Sequence, residues 1–511
     1  MTSQAQFPSS KTQILDAVIV GAGFGGLCAA IKLREAGHGN IVILEKGEDV
    51  GGTWNFNSYP GAACDVQSHM YSFSFEGNPN WSKRFAPQPE IKQYIDDVTA
   101  KRGIRPFVRF GQVVNEARFD EATALWTVRT EKGDTFTTRY FIIASGPLHV
   151  PAFPTIKGLD KFKGKVMHSS QWDHSYDLAG KNVVSIGTGA SAIQYCPAIA
   201  PQVRQLTVMQ RTPAWVIPRD ERRYLGIEKT LFAKFPLLRK LHRARYYWTN
   251  EIRLAMNIHP LVARTLEALV KGVIRLQVKD PDLRRKLTPD YTIGCKRILI
   301  SNEWYRMFNR PNVELVTEGI REITERGVVT ADGVERPADC IVLGTGFVVD
   351  PRIYMKNFPV IGQGGRDLRQ DWKAGSNAYL GTTISGFPNL FQLVGPNTGL
   401  GHNSIIFMIE AQVHYVLECM KLQQQKQADY IEVKATAQQA FNAQLQRDLQ
   451  GTVWTSGCKS WYVQEDGTNA TLWPYTTVKF WLDTRKVKTG DYVFGICSAK
   501  LGAPQKEKAT A

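Results

Sequence analysis

Apolar residues fall in two rhythms along this chain. Short unbroken runs, many of them β-branched, occupy residues 16–20, 41–44, 181–186 and 206–210. Runs of this length without polar alternation predict strands covered on both faces, as in a parallel sheet. Two of them pass at once into glycines, and apolar residues then recur at helical spacing over 27–34. Residues 107–130 predict a small β-meander, and 140–147 and 338–347 predict strands that end in glycine turns. Strands and turns are expected over 309–316 and 327–333, and a helix over 404–421. Between 218 and 290, leucines and aromatics recur at helical spacing with Arg and Lys between them. Residues 430–495 are mixed and hold four of the twelve tryptophans. Strand and helix alternate, which predicts an α/β fold.

Composition narrows this picture. A chain of 511 residues exceeds one ordinary core, so two or three domains are expected. No apolar run is long enough to cross a bilayer. The first 13 residues lack the apolar stretch of a secretory leader, and the C-terminal residues form no known address. The eight cysteines are scattered without a CxxC pair, which argues against a disulfide framework, a metal site and a dithiol redox centre. A reducing, cytoplasmic location is therefore expected. Net charge is +16, but the basic residues are spread out except over 218–290, so no nucleic-acid partner is expected. Only the last ten or so residues read as disordered.

The glycines carry the first chemistry. Gly21-Ala-Gly23-Phe24-Gly-Gly26 follows a strand and opens a helix, the context a dinucleotide-binding motif requires. The turn and the free N–H groups at the helix start hold a pyrophosphate. Glu45 closes the next strand, 24 positions after Gly21, where a carboxylate accepts hydrogen bonds from a ribose and repels a 2′-phosphate. Gly187-Thr188-Gly189-Ala190-Ser191-Ala192 opens a second such unit, and Gln194 is assigned to the same site. There the position of Glu45 is held by Arg211, again 24 residues on, followed by Thr212. A guanidinium binds a 2′-phosphate through two hydrogen bonds. The exchange of acid for arginine predicts FAD in the first site and NADPH in the second. The fold class is thus α/β, with two dinucleotide-binding (Rossmann-like) domains and a helical insertion in the NADP domain.

Between the two units runs Phe162-x-Gly164-x-x-x-His168-x-x-x-Trp172-Asp173, and earlier Gly51-Gly52-x-Trp54-x-x-x-x-Tyr59-Pro60-Gly61-x-x-x-Asp65. Together these resemble the linker and flavin-loop motifs of the type I Baeyer–Villiger monooxygenases. The resemblance spans nearly the whole chain and is weakest around 218–290. It implies an NADPH- and O2-dependent flavoprotein that inserts oxygen beside a ketone carbonyl through a C4a-peroxyflavin, giving an ester or lactone. It implies that Thr53, Trp54, Asp65 and Tyr71 contact FAD and that Val114 lies at the adenine. It further implies that Arg297 is the catalytic cation, steered by the catalytic partner Asp65, and that Lys296 helps hold the 2′-phosphate. Phe162, Gly164, His168 and Trp172 form the hinge, with His168 a brace rather than a base. Trp461 falls in the substrate-side loop. Residues 1–147 and 386–511 are expected to bind FAD, 148–217 and 291–385 to bind NADP, and 218–290 to form the insertion. That insertion reads first as an ordinary amphipathic subdomain, with peripheral membrane contact as the alternative. Three other functions stay open: an N- or S-oxygenating flavin monooxygenase, a pyridine-nucleotide dehydrogenase or reductase, and a basic surface-binding protein. Oligomeric state stays open too.

Overall fold

A computed structural model describes residues 13–501, apart from 259, 456, 459, 461, 465 and 466. Trp461 and the C-terminal residues expected to be disordered lie outside the described residues. Leu15–Val20 (β1), Ile41–Leu44 (β2), Val108–Arg109 (β3), Val114–Asp120 (β4), Leu125–Thr130 (β5) and Thr135–Ile143 (β6) belong to one sheet. β1 runs parallel to β2 and β6, and β4, β5 and β6 form the antiparallel meander. The helix Phe24–Glu35 (α1) crosses from β1 to β2. Ala17, Val18 and Ile19 are fully buried, as the unbroken apolar run requires.

Lys165–His168 (β7), Asn182–Ile186 (β8) and Gln205–Met209 (β9) open a second sheet, which Val313–Val316 and Cys340–Leu343 complete. All its pairings are parallel. Leu390–Gln392 then pairs with β6, which brings the chain back to the first sheet, while Leu445, Trp454, Trp473 and Phe480 further on pack in the core of the second. The return to the first sheet comes earlier than residue 386, however. Val360–Ile361 adds a parallel strand beside β4, and Leu368 and Trp372 pack in one core with Phe119 and Trp126. A two-residue strand among turns carries no periodic signal, so the sequence could not show this crossing.

The insertion is four helices, Gly226–Lys234, Pro236–Ile258, Pro260–Gln277 and Pro281–Leu287. Three begin with proline, which fits a first helical position where the N–H has no partner. The parallel pair Val216–Ile217 and Leu299–Ile300 closes its base. It is no free-standing unit. Phe232 is buried with the core of the first sheet, and Leu254, Val270 and Ile274 with that of the second. At the first contact His69 sits edge-on to Tyr224, Phe232 and His242, with ring centroids 4.9 to 5.1 Å apart. Beside it the Arg243 guanidinium donates to the carbonyls of His69 (2.6 Å) and Ser72 (2.9 Å).

Candidate active site

Both glycine motifs open into one cavity of about 2090 Å³. An ordinary small-molecule site is roughly 300–1,000 Å³, so this one has room for two large ligands. Gly21 and Gly187 both stand at positive φ (101° and 109°), where a side chain is strained. Gly26 does not line the cavity. A Cβ there would lie 1.8 Å from the carbonyl oxygen of Gly21, so glycine is what lets α1 close on β1. In the second motif Ala192 takes this place, fully buried. Gly189 is different again, since a Cβ there would meet nothing within 4 Å, leaving the backbone open to a pyrophosphate. These cradles fit FAD and NADP.

The expected FAD contacts line this cavity. Glu45 is buried and accepts from the backbone N–H of Ala22 (2.7 Å) and of Gly47 (2.8 Å), which aims its carboxylate across the glycine turn. Gly23, Phe24, Thr53, Trp54, Tyr71 and Val114 line the same wall. The Trp54 indole N–H donates to the Tyr71 hydroxyl (3.0 Å), and burial raises the Tyr71 pKa, keeping it a neutral donor.

Thr188, Ala190, Ser191, Arg211, Thr212 and Lys296 line the cavity with the second motif. Thr188 donates to the carbonyl of Thr212 (3.2 Å), tying the glycine turn to the end of β9. Arg211 and Lys296 form no ion pair among the described residues. Burial, and next the repulsion of Arg211, lower the Lys296 pKa. Two cations lining the cavity, neither in an ion pair among the described residues, suit a doubly charged phosphate. Gln194 does something its motif position did not show. Its amide accepts from the Tyr59 hydroxyl (3.0 Å) and donates to the carbonyl of Ala63 (3.0 Å), so it bridges the two glycine units.

Arg297 and Asp65 line the same cavity and meet there, 232 positions apart in sequence. The Arg297 Nε donates to Asp65 Oδ2 at 3.1 Å, and Nη2 donates to the same oxygen. The Asp65 charge raises the Arg297 pKa further, against burial, so the guanidinium stays protonated. Its side chain keeps 41% of its surface accessible and lines the cavity.

The four residues expected to form the hinge do not line the cavity. A Cβ on Gly164 would fall 2.5 Å from the carbonyl oxygen of Asp339 and 2.6 Å from the Phe162 ring. His168 is buried, its Nδ1 2.8 Å from the Ser170 hydroxyl and its Nε2 3.0 Å from the carbonyl oxygen of Gly346. A carbonyl only accepts, so Nε2 carries the proton, and burial lowers the His168 pKa. The neutral ring thus joins the linker to the loop after Cys340–Leu343. Trp172 packs on Tyr195, ring centroids 5.6 Å apart.

Three features escaped the sequence reading. Tyr462, buried beside Arg297, has a phenol pushed up to about 12 by burial. Asn403 lines the cavity and donates to Glu251 (2.6 Å), a buried carboxylate that also binds Thr477 and His402. Cys295 and Cys458 form a disulfide, Cα atoms 6.3 Å apart. The scatter of cysteines argues against a disulfide framework, yet this one bridge forms. Folding corrects that, because it brings the segments around residues 295 and 458 together.

Comparison with known proteins finds relatives over nearly the whole chain. A family model described as pyridine nucleotide-disulphide oxidoreductase matches residues 18–225. The chain is 46% identical over 477 residues to a Baeyer-Villiger monooxygenase of Pseudomonas aeruginosa, covering 93% of this chain and 90% of that protein. It is 44% identical over 497 residues to another of Streptomyces coelicolor, covering 96% and 95%. Among solved structures, OTEMO in complex with FAD and NADP matches with a TM-score of 0.85 at 28% identity, covering 95% of this chain and 100% of that one.

Proposed function

The chain belongs to the Baeyer–Villiger monooxygenases, and from that premise we propose how its residues divide the work. The enzyme uses NADPH and O2 to turn a ketone into an ester or lactone. One oxygen atom enters the product and the other leaves as water. Bound FAD supplies the oxygen-activating redox chemistry and NADPH the hydride.

The first glycine motif, Glu45, Trp54 and Tyr71 hold FAD. The second motif, Arg211, Thr212 and Lys296 hold NADPH, with the two cations on its 2′-phosphate. Arg297 is the catalytic residue. As the ketone carbon becomes tetrahedral, negative charge develops on its oxygen, and a fixed cation in a water-poor cavity stabilises it. Asp65 fixes the guanidinium through Nε and Nη2, and the side chain lines the cavity. A lysine has no such fork. The observation that carries the reading is this pair, lining the same cavity as both glycine motifs.

The test is product analysis on Arg297→Ala and Arg297→Lys, each given a ketone and a thioether beside the parent enzyme. Loss of one preorganised donor costs roughly 10²–10³-fold in turnover. Both variants are expected to stay yellow and to consume NADPH, with ester formation down by about that factor. Ester formation within about tenfold of the parent by Arg297→Ala would remove Arg297 from the chemistry. Sulfoxide without ester from the parent enzyme would remove the ketone reading.

A further inference from the structure

The inner face of the helix Pro236–Ile258 is satisfied. Tyr246, Asn250, Glu251 and Leu254 are buried there, and Asn250 exchanges hydrogen bonds with Gln67. Its outer face is the anomaly. Leu237 is 69% exposed, Leu241 59%, Trp248 55% and Ile252 64%. Steps of four, seven and four residues bring all four within an arc of about 60° at 3.6 residues per turn. A surface helix normally turns polar residues to water. This one shows water an unbroken apolar stripe with an indole in it. The preceding helix, Gly226–Lys234, extends the apolar surface with Leu225, Ile227 and Leu231, all exposed.

The flanks of the stripe are cationic. Residues 222–253 hold nine Lys and Arg against two Glu. Both acids are already engaged, Glu228 by Arg222 and Glu251 inside the protein. Lys234, Lys240, Arg245 and Arg253 are exposed and pair with no carboxylate among the described residues. A second copy of this chain meeting this face with the same face would set these cations against their own kind and offer no free acid in return. A negatively charged lipid surface answers both features at once, with headgroups for the cations and acyl chains for the stripe.

We propose that the outer face of the helix Pro236–Ile258 is a docking surface for anionic membranes, lying in the interface plane. No helix among the described residues is long and apolar enough to span one. The docking holds whatever reaction the cavity performs. The inner face of the same helix carries Glu251, which binds Asn403 at the cavity wall, so the docked face and the cavity share one rigid element.

The test is sedimentation of the yellow holoenzyme with vesicles of phosphatidylglycerol and phosphatidylcholine in equal parts, against pure phosphatidylcholine. Binding to the anionic vesicles is expected to exceed the other by at least about tenfold at low salt, and to fade near ~0.5 M salt as the charges are screened. The double variant Leu241→Glu with Trp248→Glu changes only exposed side chains. It is expected to keep its FAD and its turnover of a soluble ketone while losing the vesicles. No sedimentation of the parent protein with anionic vesicles, or equal sedimentation of the double variant, overturns the proposal. So does a dimer in analytical ultracentrifugation that the double variant abolishes, because the stripe would then belong to a second copy.

Discussion

Glu45 and Arg211 occupy the same place in two copies of one supersecondary unit, and their opposite charges carry the assignment of cofactors. Each stands at the end of the second strand of its unit, where the ribose of a dinucleotide comes to rest. The prediction at this scale concerns Arg211. A hydrogen bond to a charged group is worth about 1.5–3 kcal/mol, a factor of roughly 10–150 in affinity. Arg211→Gln is expected to raise the KM for NADPH by about that factor, to leave kcat nearly unchanged and to narrow the preference over NADH. Steady-state rates with both nucleotides decide it, and an unchanged NADPH-to-NADH ratio would place the 2′-phosphate elsewhere. These residues were readable in the sequence because each announces itself locally, as a glycine, an acid or an arginine at a fixed step from a strand. Tyr462, Asn403 and Glu251 make no such announcement. Glu251 meets its partners Asn403 and Thr477 across 152 and 226 positions, which no local pattern reports.

Among the elements, the strands were legible because parallel sheets bury both faces and leave apolar runs. The helical insertion was legible as helices but not as a contact. Nothing in the periodicity of 218–290 says that it clasps the first body through His69. That contact carries a pH dependence. Burial, with the charge of His242 next and those of Arg239, Arg243 and Arg222 behind it, brings His69 down to about 3 from its ordinary 6.5. The folded protein therefore refuses a proton that the unfolded chain accepts. Its contribution is whole above about pH 6.5 and is lost as pH falls toward the folded value. The loss runs at up to ~1.4 kcal/mol per pH unit. His242, held at about 4 mainly by burial, acts in the same direction. His69→Phe keeps a flat ring in the aromatic cluster and removes the titrating group. Its melting temperature is expected to fall less than that of the parent between pH 7 and pH 5, as measured by circular dichroism. Parallel slopes for the two proteins would show that acid attacks the fold somewhere else.

For the whole molecule, the cavity is a place where distant segments meet, and one covalent link fastens two of them. Cys295 lies two residues before Arg297, and Cys458 lies four before Tyr462. Their bridge spans 163 positions and joins the guanidinium's own segment to the one that carries the buried phenol beside it. Closing a loop of that length removes unfolded-state entropy worth about 5 kcal/mol in the chain-entropy model, and native bridges deliver roughly 2–5. The effect on the site is separate from that on the fold. Asp65 fixes Arg297 from one side, and the bridge ties down the backbone beside it from another. Reductant is therefore expected to lower the denaturant midpoint of the parent enzyme and to reduce ester formed per NADPH consumed, since a looser guanidinium holds the reacting oxygen less well. The double variant Cys295→Ser with Cys458→Ser is expected to match the reduced parent in both measurements and to be indifferent to reductant. The other six cysteines are buried and unpaired, so a response that survives in the double variant would come from one of those thiols and would refute the role given to the bridge.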